Sequence, residues 1–405
     1  LRAEINQVPN KENDIRIILI IDISYGGNQM EWKEKEWAKQ IAEKIRKKEQ
    51  IVALRSDGKI PYTTVNGRFD DWTDRIGWWT NGFYAGQMWL LYYVYKEDLF
   101  RKTAENIEEK LDKNLMEYMA MDHDNGFKWL LTSAANYKLT GNEMSKNRAL
   151  LAAANLAGRY NPKGHFIRAW NDSGNGDTAG WAIIDCMMNL PLLYWASKQT
   201  NDKRFTQIAK FHADMVSREY IREDGSSYHI MTFDPESGEK IKPLGGQGMD
   251  ENSSWTRGQA WALYGFALSY NYTKEKRYLE TAEKVAVYIQ QELLKWEFVP
   301  VDFAQKKDVL WEDSSAAAIM ACGFLELEQW IKSKERKTAF HKTAISLLRT
   351  LEEKRCNLTE ETDFIIENCS VAYHEKEHNV SLIYADYYFT EAILRLSDGI
   401  MKGVD

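Results

Sequence analysis

Six long apolar segments recur along the chain, and each begins with a cluster of polar residues. Apolar residues cover most of the helical circumference in every segment, which predicts buried helices rather than half-exposed ones. The segments span residues 79–95, 124–140, 181–200, 255–272, 313–331 and 381–396. The third segment places Asp185 between Ile184 and Cys186. A carboxylate in such surroundings costs free energy unless it has a partner or a function.

Charged, amphipathic helices alternate with the apolar ones. A short polar turn follows each of the first five apolar segments, and a charged helix follows each turn. Four of these helices carry an aromatic residue with an alanine four positions later, on one helix face, which can seat each helix against its apolar predecessor. The pairs are Phe100/Ala104, Phe205/Ala209, Tyr278/Ala282 and Phe340/Ala344. An opening helix near residues 31–48 brings the pattern to six apolar and six amphipathic helices.

This alternation predicts an all-α fold, an (α/α)6 barrel with six inner and six outer helices. The alternative is an open solenoid of helical hairpins, which would be favoured by unusually polar faces on the first and last hairpins. The chain lacks such faces. We therefore expect residues 31–405 to form a single barrel domain, preceded by an N-terminal extension, residues 1–30, that is poorly integrated into the fold.

Charge and composition narrow the function classes. The 53 basic and 60 acidic residues leave a net charge of -7, without the basic excess of a nucleic-acid surface. No apolar run reaches the roughly 18 residues that a membrane span needs. The 15 Trp and 21 Tyr exceed ordinary packing needs, and flat aromatic faces suit sugar rings. We therefore expect neither a nucleic-acid nor a membrane partner.

The four cysteines have no CxxC spacing, and two of them, Cys186 and Cys322, lie in apolar segments. This pattern is more typical of buried free thiols than of disulfides or a metal site. Together with the lack of a convincing signal peptide, it favours a cytoplasmic protein. We expect a monomer or a homodimer.

The polar starts of the inner helices should meet at one rim of the barrel, because inner helices run parallel. Converging N-termini present unpaired amide N–H groups, which favours an anionic ligand. The rim residues are Trp78, Trp79, Asn81, His123, Asp124, Asp185, Trp255, Arg257, Gln259, Asp313, Ser314, Ser315, Ser381 and Asp386.

Asp185 and Asp124 are the candidate acid and base of this rim. Apolar neighbours raise the pKa of a carboxyl group, which would keep Asp185 protonated as a general acid. Asp185 could instead be a buried structural carboxylate paired with an arginine or with backbone amides. Asp124 follows His123 at a helix start, where it could simply be an N-cap.

Other candidates have structural alternatives as well. The planar fork of Arg257 suits a carboxylate ligand, but it could merely pair with Asp250 or Glu251. A lone loop histidine such as His229 is most often a surface residue. His374 and His378 have metal-like spacing without a third ligand, so we expect no metal. Phosphate-binding loops and nucleophile motifs are absent from the sequence, and no cofactor is expected.

Seven blocks of the chain carry a family resemblance. They read WWTNGFYAGQMWLLY (78–92), HDNGFKW (123–129), GHFIRAWND (164–172), IIDCMMNLPLLYWA (183–196), SSWTRGQAWALYGF (253–266), EDSSAAAI (312–319) and SLIYADYYFTEAILRL (381–396). In this order they resemble glycoside hydrolase family 88, the unsaturated glucuronyl hydrolases. The family fold is an (α/α)6 barrel, in agreement with the helix pattern.

The resemblance implies an enzyme that removes 4,5-unsaturated glucuronic acid from the non-reducing end of oligosaccharides made by polysaccharide lyases. In the family, an acid protonates C4 of the C4=C5 double bond, water enters at C5, and the hemiketal opens with release of the remaining sugar. The glycosidic bond is not displaced directly, so the carboxyl-separation rule of ordinary glycosidases does not apply. The implied partner is an unsaturated uronate oligosaccharide.

The resemblance also implies residue roles. Asp185 matches the family's general acid/base, and Asp124 matches its second essential aspartate. His229, Gln247, Trp255 and Arg257 resemble residues around the unsaturated ring and its carboxylate, and Trp78 or Trp79 with Trp170 match aromatic platforms. With His123, Gln259 and Ser381 at the rim, these residues form the expected substrate-binding set. The segment before residue 381 lacks the His-Gly of several relatives, in a loop used for sulfated fragments.

Two other hypotheses stay open. Unsaturated rhamnogalacturonyl hydrolases share the barrel and the mechanism but act on pectin fragments. A noncatalytic helical barrel could also bind uronates without turnover, although the two aspartates together with the Trp-x-Arg-Gly-Gln-Ala-Trp block disfavour it.

Overall fold

The computed structural model describes residues 27–172 and 178–397. The helices are α1 (Gly27–Arg55), α2 (Phe83–Tyr95), α3 (Asp98–Leu115), α4 (Asn125–Trp129), α5 (Ala135–Thr140), α6 (Glu143–Gly158), α7 (Leu190–Thr200), α8 (Lys203–Glu219), α9 (Thr256–Thr273), α10 (Lys276–Leu293), α11 (Ser314–Leu327), α12 (Lys334–Lys354) and α13 (Ile383–Leu396). Most of the predicted extension, residues 1–26, lies outside the described residues, and α1 already begins at Gly27.

The inner helices form a closed ring. Helix α2 packs against the inner segment made of α4 and α5, which are joined by a π-helical turn (Leu130–Ala134). The ring continues through α7, α9, α11 and α13, and α13 packs back against α2. Helices α3, α6, α8, α10 and α12 each pack on the preceding inner segment, and α1 packs on α13. The contact between α2 and α13 excludes an open solenoid, and the predicted (α/α)6 barrel is confirmed.

The aromatic and alanine pairs lie in the contact between the two rings. Phe100, Tyr278, Phe340 and all four alanines are buried, whereas Phe205 is partly buried. The outer helices thus seat one face on the inner ring and leave their charged face to solvent.

Left-handed residues end several inner helices. Lys96, Gly141, Asn201 and Lys274 have φ values of 56°, 76°, 56° and 56° and follow α2, α5, α7 and α9. A left-handed residue directly after a helix stops it and redirects the chain, here into the outer helix that follows.

Polar side chains connect α1 to α2 and α12, and α13 to the segment that precedes it. His341 of α12 lies 2.9 Å from both Glu34 of α1 and Glu328, which follows α11. Glu49 of α1 is fully buried and accepts a hydrogen bond from Tyr84 of α2 at 3.4 Å. Asp386 of α13 is buried as well and accepts one from the Ile366 N–H at 2.7 Å.

The third apolar segment is not one continuous helix, contrary to the prediction. It begins with strand β5 (Trp181–Ile183), passes through a 3₁₀ turn (Ile184–Met188) and becomes helical at α7. Pro191 explains the late start, because proline is tolerated in the first turn of a helix but not in its interior. Asp185 therefore lies in the turn before α7, not one turn inside an inner helix.

Short antiparallel strands lie between the helices along the chain. Two hairpins pair β1 (Thr64–Val65) with β2 (Arg68–Phe69) and β3 (Tyr160–Asn161) with β4 (Phe166–Ile167). A three-stranded sheet has the order β5, β6 (Ile230–Phe233), β7 (Lys240–Leu244), with Ile183 opposite Ile230. Within the described residues, every helix is too short or too polar to cross a membrane.

Candidate active site

A cavity of about 590 Å³ opens where the inner helices begin. Its wall comes from residues just before α2 and α4, from the first turns of α9 and α13, and from the ends of β5 and β6. The lining residues are Tyr62, Gly77, Trp78, Trp79, Asp122, His123, Asp124, Trp170, Trp181, Ile183, Asp185, His229, Ile230, Gly246, Gln247, Arg257, Val371 and Tyr384. The volume suits a small sugar unit.

The three-stranded sheet brings Asp185 and His229 together. The Ile184 N–H donates to the His229 carbonyl at 3.0 Å, so the residues after β5 lie beside the residue before β6. His229 Nε2 then lies 3.6 Å from Asp185 Oδ1. The Asp185 side chain is 14% exposed, and its Oδ1 atom accepts no hydrogen bond from any described residue. The oxygen is itself buried and faces His229.

His229 faces Asp185 with one ring nitrogen and the 245–247 segment with the other. Around Nδ1, the Gln247 N–H lies 3.0 Å away and the Gly245 carbonyl 3.2 Å away. In the tautomer that accepts from Gln247, the proton lies on Nε2, which faces Asp185. Gly246 permits this approach, because a Cβ there would lie 2.1 Å from Nδ1. His229 is 7% exposed, so the alternative of a surface histidine is wrong.

His123 and Asp124 form a second, deeper pair. His123 Nε2 lies 3.4 Å from Asp124 Oδ2, and both side chains are buried. Burial by itself lowers the pKa of His123, but the Asp124 carboxylate and the Cys186 thiol raise it well above its usual value. Burial raises the pKa of Asp124, but His123, Lys128 and Asn189 outweigh it and leave that pKa below its usual value. Asp124 is therefore a charged carboxylate on the cavity wall.

Asp124 holds the N-cap position of α4 without capping it. Among the described residues, its side chain makes no capping hydrogen bond to that helix. The Asn189 amide instead donates to Asp124 Oδ1 at 3.1 Å, and the Asn189 oxygen accepts from the Phe127 N–H at 2.8 Å. The alternative of Asp124 as a simple N-cap is therefore wrong.

Arg257 is buried and held from several sides. Its guanidinium pairs with Asp313, the residue before α11, rather than with Asp250 or Glu251. It also donates to the carbonyls of Ser370 (2.7 Å) and Val371. The rings of Trp255 and Tyr384 flank the group, with centroids 4.6 Å and 5.4 Å from its central carbon. The cation thus reaches the cavity in a fixed orientation.

Aromatic rings form much of the remaining wall. Trp79 packs against Tyr384 with ring centroids 4.9 Å apart, and Trp170 lies 6.1 Å from Trp181. Trp78 packs edge-on against Tyr62 at 5.7 Å. Such surfaces suit the apolar faces of a sugar ring.

Nine of the predicted site residues line the cavity: Trp78, Trp79, His123, Asp124, Trp170, Asp185, His229, Gln247 and Arg257. Three others lie outside its wall. Trp255 packs behind it, with its ring 4.4 Å from that of His229. Gln259 is buried and bonded to Ser227, Ser254 and Gly225, and Ser381 is bonded to Thr63 and Thr64. Their hydrogen bonds join segments of the chain, which gives Gln259 and Ser381 a structural role.

Several residues around the cavity were not predicted from the sequence. Asp122 lines the wall, and the fully buried Lys128 lies beneath it at 4.0 Å. Burial raises the pKa of Asp122 and lowers that of Lys128. Trp181 and Tyr384 line the wall, and Asn189 binds Asp124 from behind. One signal could have identified Asn189, which is a lone amide in an apolar run four positions after Asp185.

The candidate metal ligands are engaged in other contacts. His374 Nε2 lies 2.8 Å from the Met249 carbonyl, and His378 Nδ1 lies 2.9 Å from Ser370 Oγ. Residues 27–172 and 178–397 contain no group of three or more His, Cys, Asp or Glu side chains that could hold a metal ion. The four cysteines are free, and Cys186 is buried beside His123.

Known proteins are similar to this chain in sequence and in fold. Residues 49–398 match the model of Glycosyl Hydrolase Family 88. The chain is 35% identical to an unsaturated glucuronyl hydrolase of Bacillus sp. (strain GL1), over 85% of this chain and 90% of that one. It is 32% identical to an unsaturated chondroitin disaccharide hydrolase of Streptococcus pneumoniae, over 78% and 81%. A crystal structure of the unsaturated glucuronyl hydrolase from Bacillus sp. GL1 superposes with a TM-score of 0.82 at 32% identity, covering 90% of this chain and 97% of that one.

Proposed function

The chain belongs to glycoside hydrolase family 88, and from that premise we propose that it is an unsaturated glucuronyl hydrolase. Its substrates are oligosaccharides with a 4,5-unsaturated glucuronic acid at the non-reducing end, as polysaccharide lyases produce them. It releases that sugar by acid/base hydration of the C4=C5 double bond.

One arrangement carries this proposal: two carboxylates with different hydrogen-bond partners share a cavity with the fixed guanidinium of Arg257. Asp185 Oδ1 accepts no hydrogen bond from the described chain, whereas Asp124 is bonded to His123 and Asn189. Arg257 faces the same cavity. Pairs of titratable groups in contrasting environments are typical of acid/base catalysis.

Asp185 is the proton donor in the proposed reaction. It transfers its proton to C4, water adds at C5, and the proton of that water returns to the carboxylate. The resulting hemiketal opens and releases the remaining sugar as an alcohol. His229 Nε2–H, 3.6 Å from Asp185 Oδ1, stabilises the carboxylate between the two proton transfers.

Asp124 and Arg257 hold the uronate ring. The charged Asp124 accepts hydrogen bonds from ring hydroxyls and keeps the ring facing Asp185. Arg257 attracts the uronate carboxylate, and the aromatic wall covers the apolar face of the ring. This division of roles leaves Asp185 free to exchange its proton.

The first test replaces Asp185 by asparagine. We expect the D185N variant to fold and to lose at least ~10³-fold in kcat, since an amide cannot supply the proton. Loss of the ultraviolet absorbance of the C4=C5 bond measures turnover. Asp214→Asn, a substitution of a surface carboxylate paired with Arg277, is the control and should be as active as the native chain. Full activity of folded D185N would contradict the assignment.

A panel of lyase products then defines the substrate. Unsaturated fragments of chondroitin, heparin, gellan, ulvan and rhamnogalacturonan are compared by the same absorbance loss. Selective turnover of rhamnogalacturonan fragments would assign the chain to the pectin-acting enzymes instead. Saturable binding of every fragment without absorbance loss would indicate a noncatalytic uronate-binding barrel.

We also propose that the protein works in the cytoplasm as a monomer or a homodimer. The four free cysteines support a reducing compartment, because three of them are buried and Cys356 is partly buried. Immunolocalisation in the native cell and light scattering of the purified protein test the two statements. A secreted protein or a larger assembly would contradict them.

A further inference from the structure

Asn189 lies where the two carboxylate segments meet. It is fully buried and directly follows the 3₁₀ turn that contains Asp185. Its amide nitrogen lies 3.1 Å from Asp124 Oδ1 and 3.4 Å from the backbone carbonyl of Asp185. Its oxygen accepts from the Phe127 N–H at 2.8 Å. One side chain thus contacts both segments, although 65 residues separate it from Asp124.

The hydrogen bond to Phe127 replaces an ordinary helix cap. The first N–H groups of a helix need acceptors from outside it, and an N-cap aspartate usually supplies its own carboxylate to the third residue. Phe127 is the third residue of α4, yet its N–H is bonded to Asn189 and not to Asp124. Because the cap comes from another segment, the Asp124 carboxylate need not fold back onto its helix.

Glycine at position 126 makes room for this contact. A Cβ at Gly126 would lie 2.5 Å from the Cα of Asn189 and 2.7 Å from its Oδ1 atom. Any larger residue would push Asn189 away from α4. The close approach is therefore encoded in both segments, by the glycine in one and the amide in the other.

We propose that Asn189 is a positioning residue for the reaction. It caps α4 in place of Asp124, and its amide N–H aims the freed carboxylate at the cavity. Because the same amide lies beside the Asp185 carbonyl, it also fixes the position of the Asp185 segment relative to the Asp124 carboxylate. The inference rests on the proposed function.

Other groups around Asp124 also affect its pKa, and the Asn189 amide acts in addition to them. His123 and Lys128 favour the charged carboxylate, whereas burial opposes it. Asp122 and Cys186 also lie near Asp124, and burial raises the pKa of each. The Asn189 N–H is a further donor to Oδ1, and it comes from outside the Asp124 segment. Without it, the pKa of Asp124 should rise.

Asn189→Asp separates the two contacts of this side chain. Aspartate has nearly the same shape and can still accept from the Phe127 N–H, but its ionised form has no donor for Asp124. Two carboxyl groups at this separation repel each other when both are ionised, which raises one of the two macroscopic pKa values. Asn189→Ala removes both contacts. Asn136→Ala is the matched control, because Asn136 is equally buried but donates to Glu108 between α5 and α3.

The measurements are kcat, KM and the pH profile of kcat/KM. We expect N189D to lower kcat about tenfold or more with little change in KM, and to move the acidic limb of the profile upward by about one pH unit. N189A should move the limb in the same direction and also lower Tm, since α4 loses its cap. N136A should lower Tm and leave the limb in place.

An acidic limb and a kcat in N189D that match the native enzyme would overturn the proposal. If N189D does not fold, N189A decides: a lowered Tm with an unmoved limb, as in N136A, would mean a purely structural asparagine. The native chain is assayed in parallel on unsaturated disaccharides. Lack of turnover by the native chain would refute the proposed function itself, so the two failures are distinguishable.

Discussion

Arg257 shows how a buried side chain is fixed before any ligand arrives. Burial lowers its pKa, but Asp313 more than compensates, so the pKa lies above its usual value. Asp313 in turn caps α11, since its carboxylate accepts from the Ser315 N–H at 3.2 Å. The Arg257 guanidinium is therefore held by Asp313, a residue that α11 already requires as its N-cap.

Arg257→Lys tests the planar fork apart from the charge. Lysine keeps the cation but cannot bind Asp313, Ser370 and Val371 together. We expect KM to rise about tenfold with a smaller change in kcat, since ground-state binding of the uronate is lost. Steady-state kinetics measure this, and circular dichroism checks the fold. An unchanged KM in a folded variant would contradict a role of Arg257 in uronate binding.

Single residues also show how far the sequence alone can predict this site. Asp185, Asp124 and Arg257 could be placed at one rim, because the starts of parallel inner helices converge there. The partner of Arg257 could not be predicted, since Asp313 lies 56 positions away and Asp250 and Glu251 are closer in sequence. Distance along the chain is therefore a poor guide to the partner of Arg257, because the starts of all the inner segments meet at the same end of the barrel.

Helices and turns differ in how well they could be predicted. The five other inner segments are mainly helical, because their apolar residues have no competing structure nearby. Residues 181–183 instead pair with a strand from the segment before α9, and that pairing depends on residues some fifty positions away. An apolar run that contains Ile183 and Ile184 can form either a helix or a strand. Its tertiary partner therefore determines which of the two it forms.

The left-handed turns offer a stability test. Lys96 has φ 56° directly after α2 and is exposed, and a residue with a Cβ costs about 1 kcal/mol in that conformation. Lys96→Gly also removes the contacts of the ammonium group with the rings of Tyr92 (5.3 Å) and Tyr93 (4.9 Å), so we expect Tm to rise by no more than roughly 2 °C. Differential scanning calorimetry measures it.

Lys102→Gly, at an exposed position inside α3, is the control with the opposite sign. There the same substitution should lower Tm, because glycine is unfavourable in a helix interior. A drop in Tm for both variants would contradict the explanation by backbone conformation.

For the barrel as a whole, ring closure depends on contacts between its two ends. Helix α1 packs against α13. Burial, reinforced by Asp386, raises the pKa of Glu49 to about 8, and burial raises that of Asp386 to about 7. The helical pattern predicted the six inner and six outer segments, but it did not show which polar residues would connect α1 to its neighbours.

The pH dependence of Tm in a Glu49→Gln variant tests how Glu49 contributes to this closure. The folded chain binds a proton at Glu49 more tightly than the unfolded chain does, so this group stabilises the fold at low pH. The contribution is lost as pH rises from 4.5 to about 8. We expect the native Tm to fall across this window by roughly 4 °C or more and the E49Q Tm to fall less.

Thermal unfolding at a series of pH values measures the difference. Glu109→Gln, a substitution of an exposed carboxylate on α3, is the control and should follow the native curve. Parallel curves for the native chain and E49Q would show that Glu49 does not titrate in this range.

Cys186, which is buried, can report on the turn that contains Asp185. Burial raises the pKa of this thiol, which keeps it protonated and shielded from alkylating reagents while the turn is intact. Asp185 is its neighbour in the chain, so any opening that exposes the sulfur also disturbs the proposed proton donor. The rate at which a thiol reagent labels Cys186 therefore measures how often this turn opens.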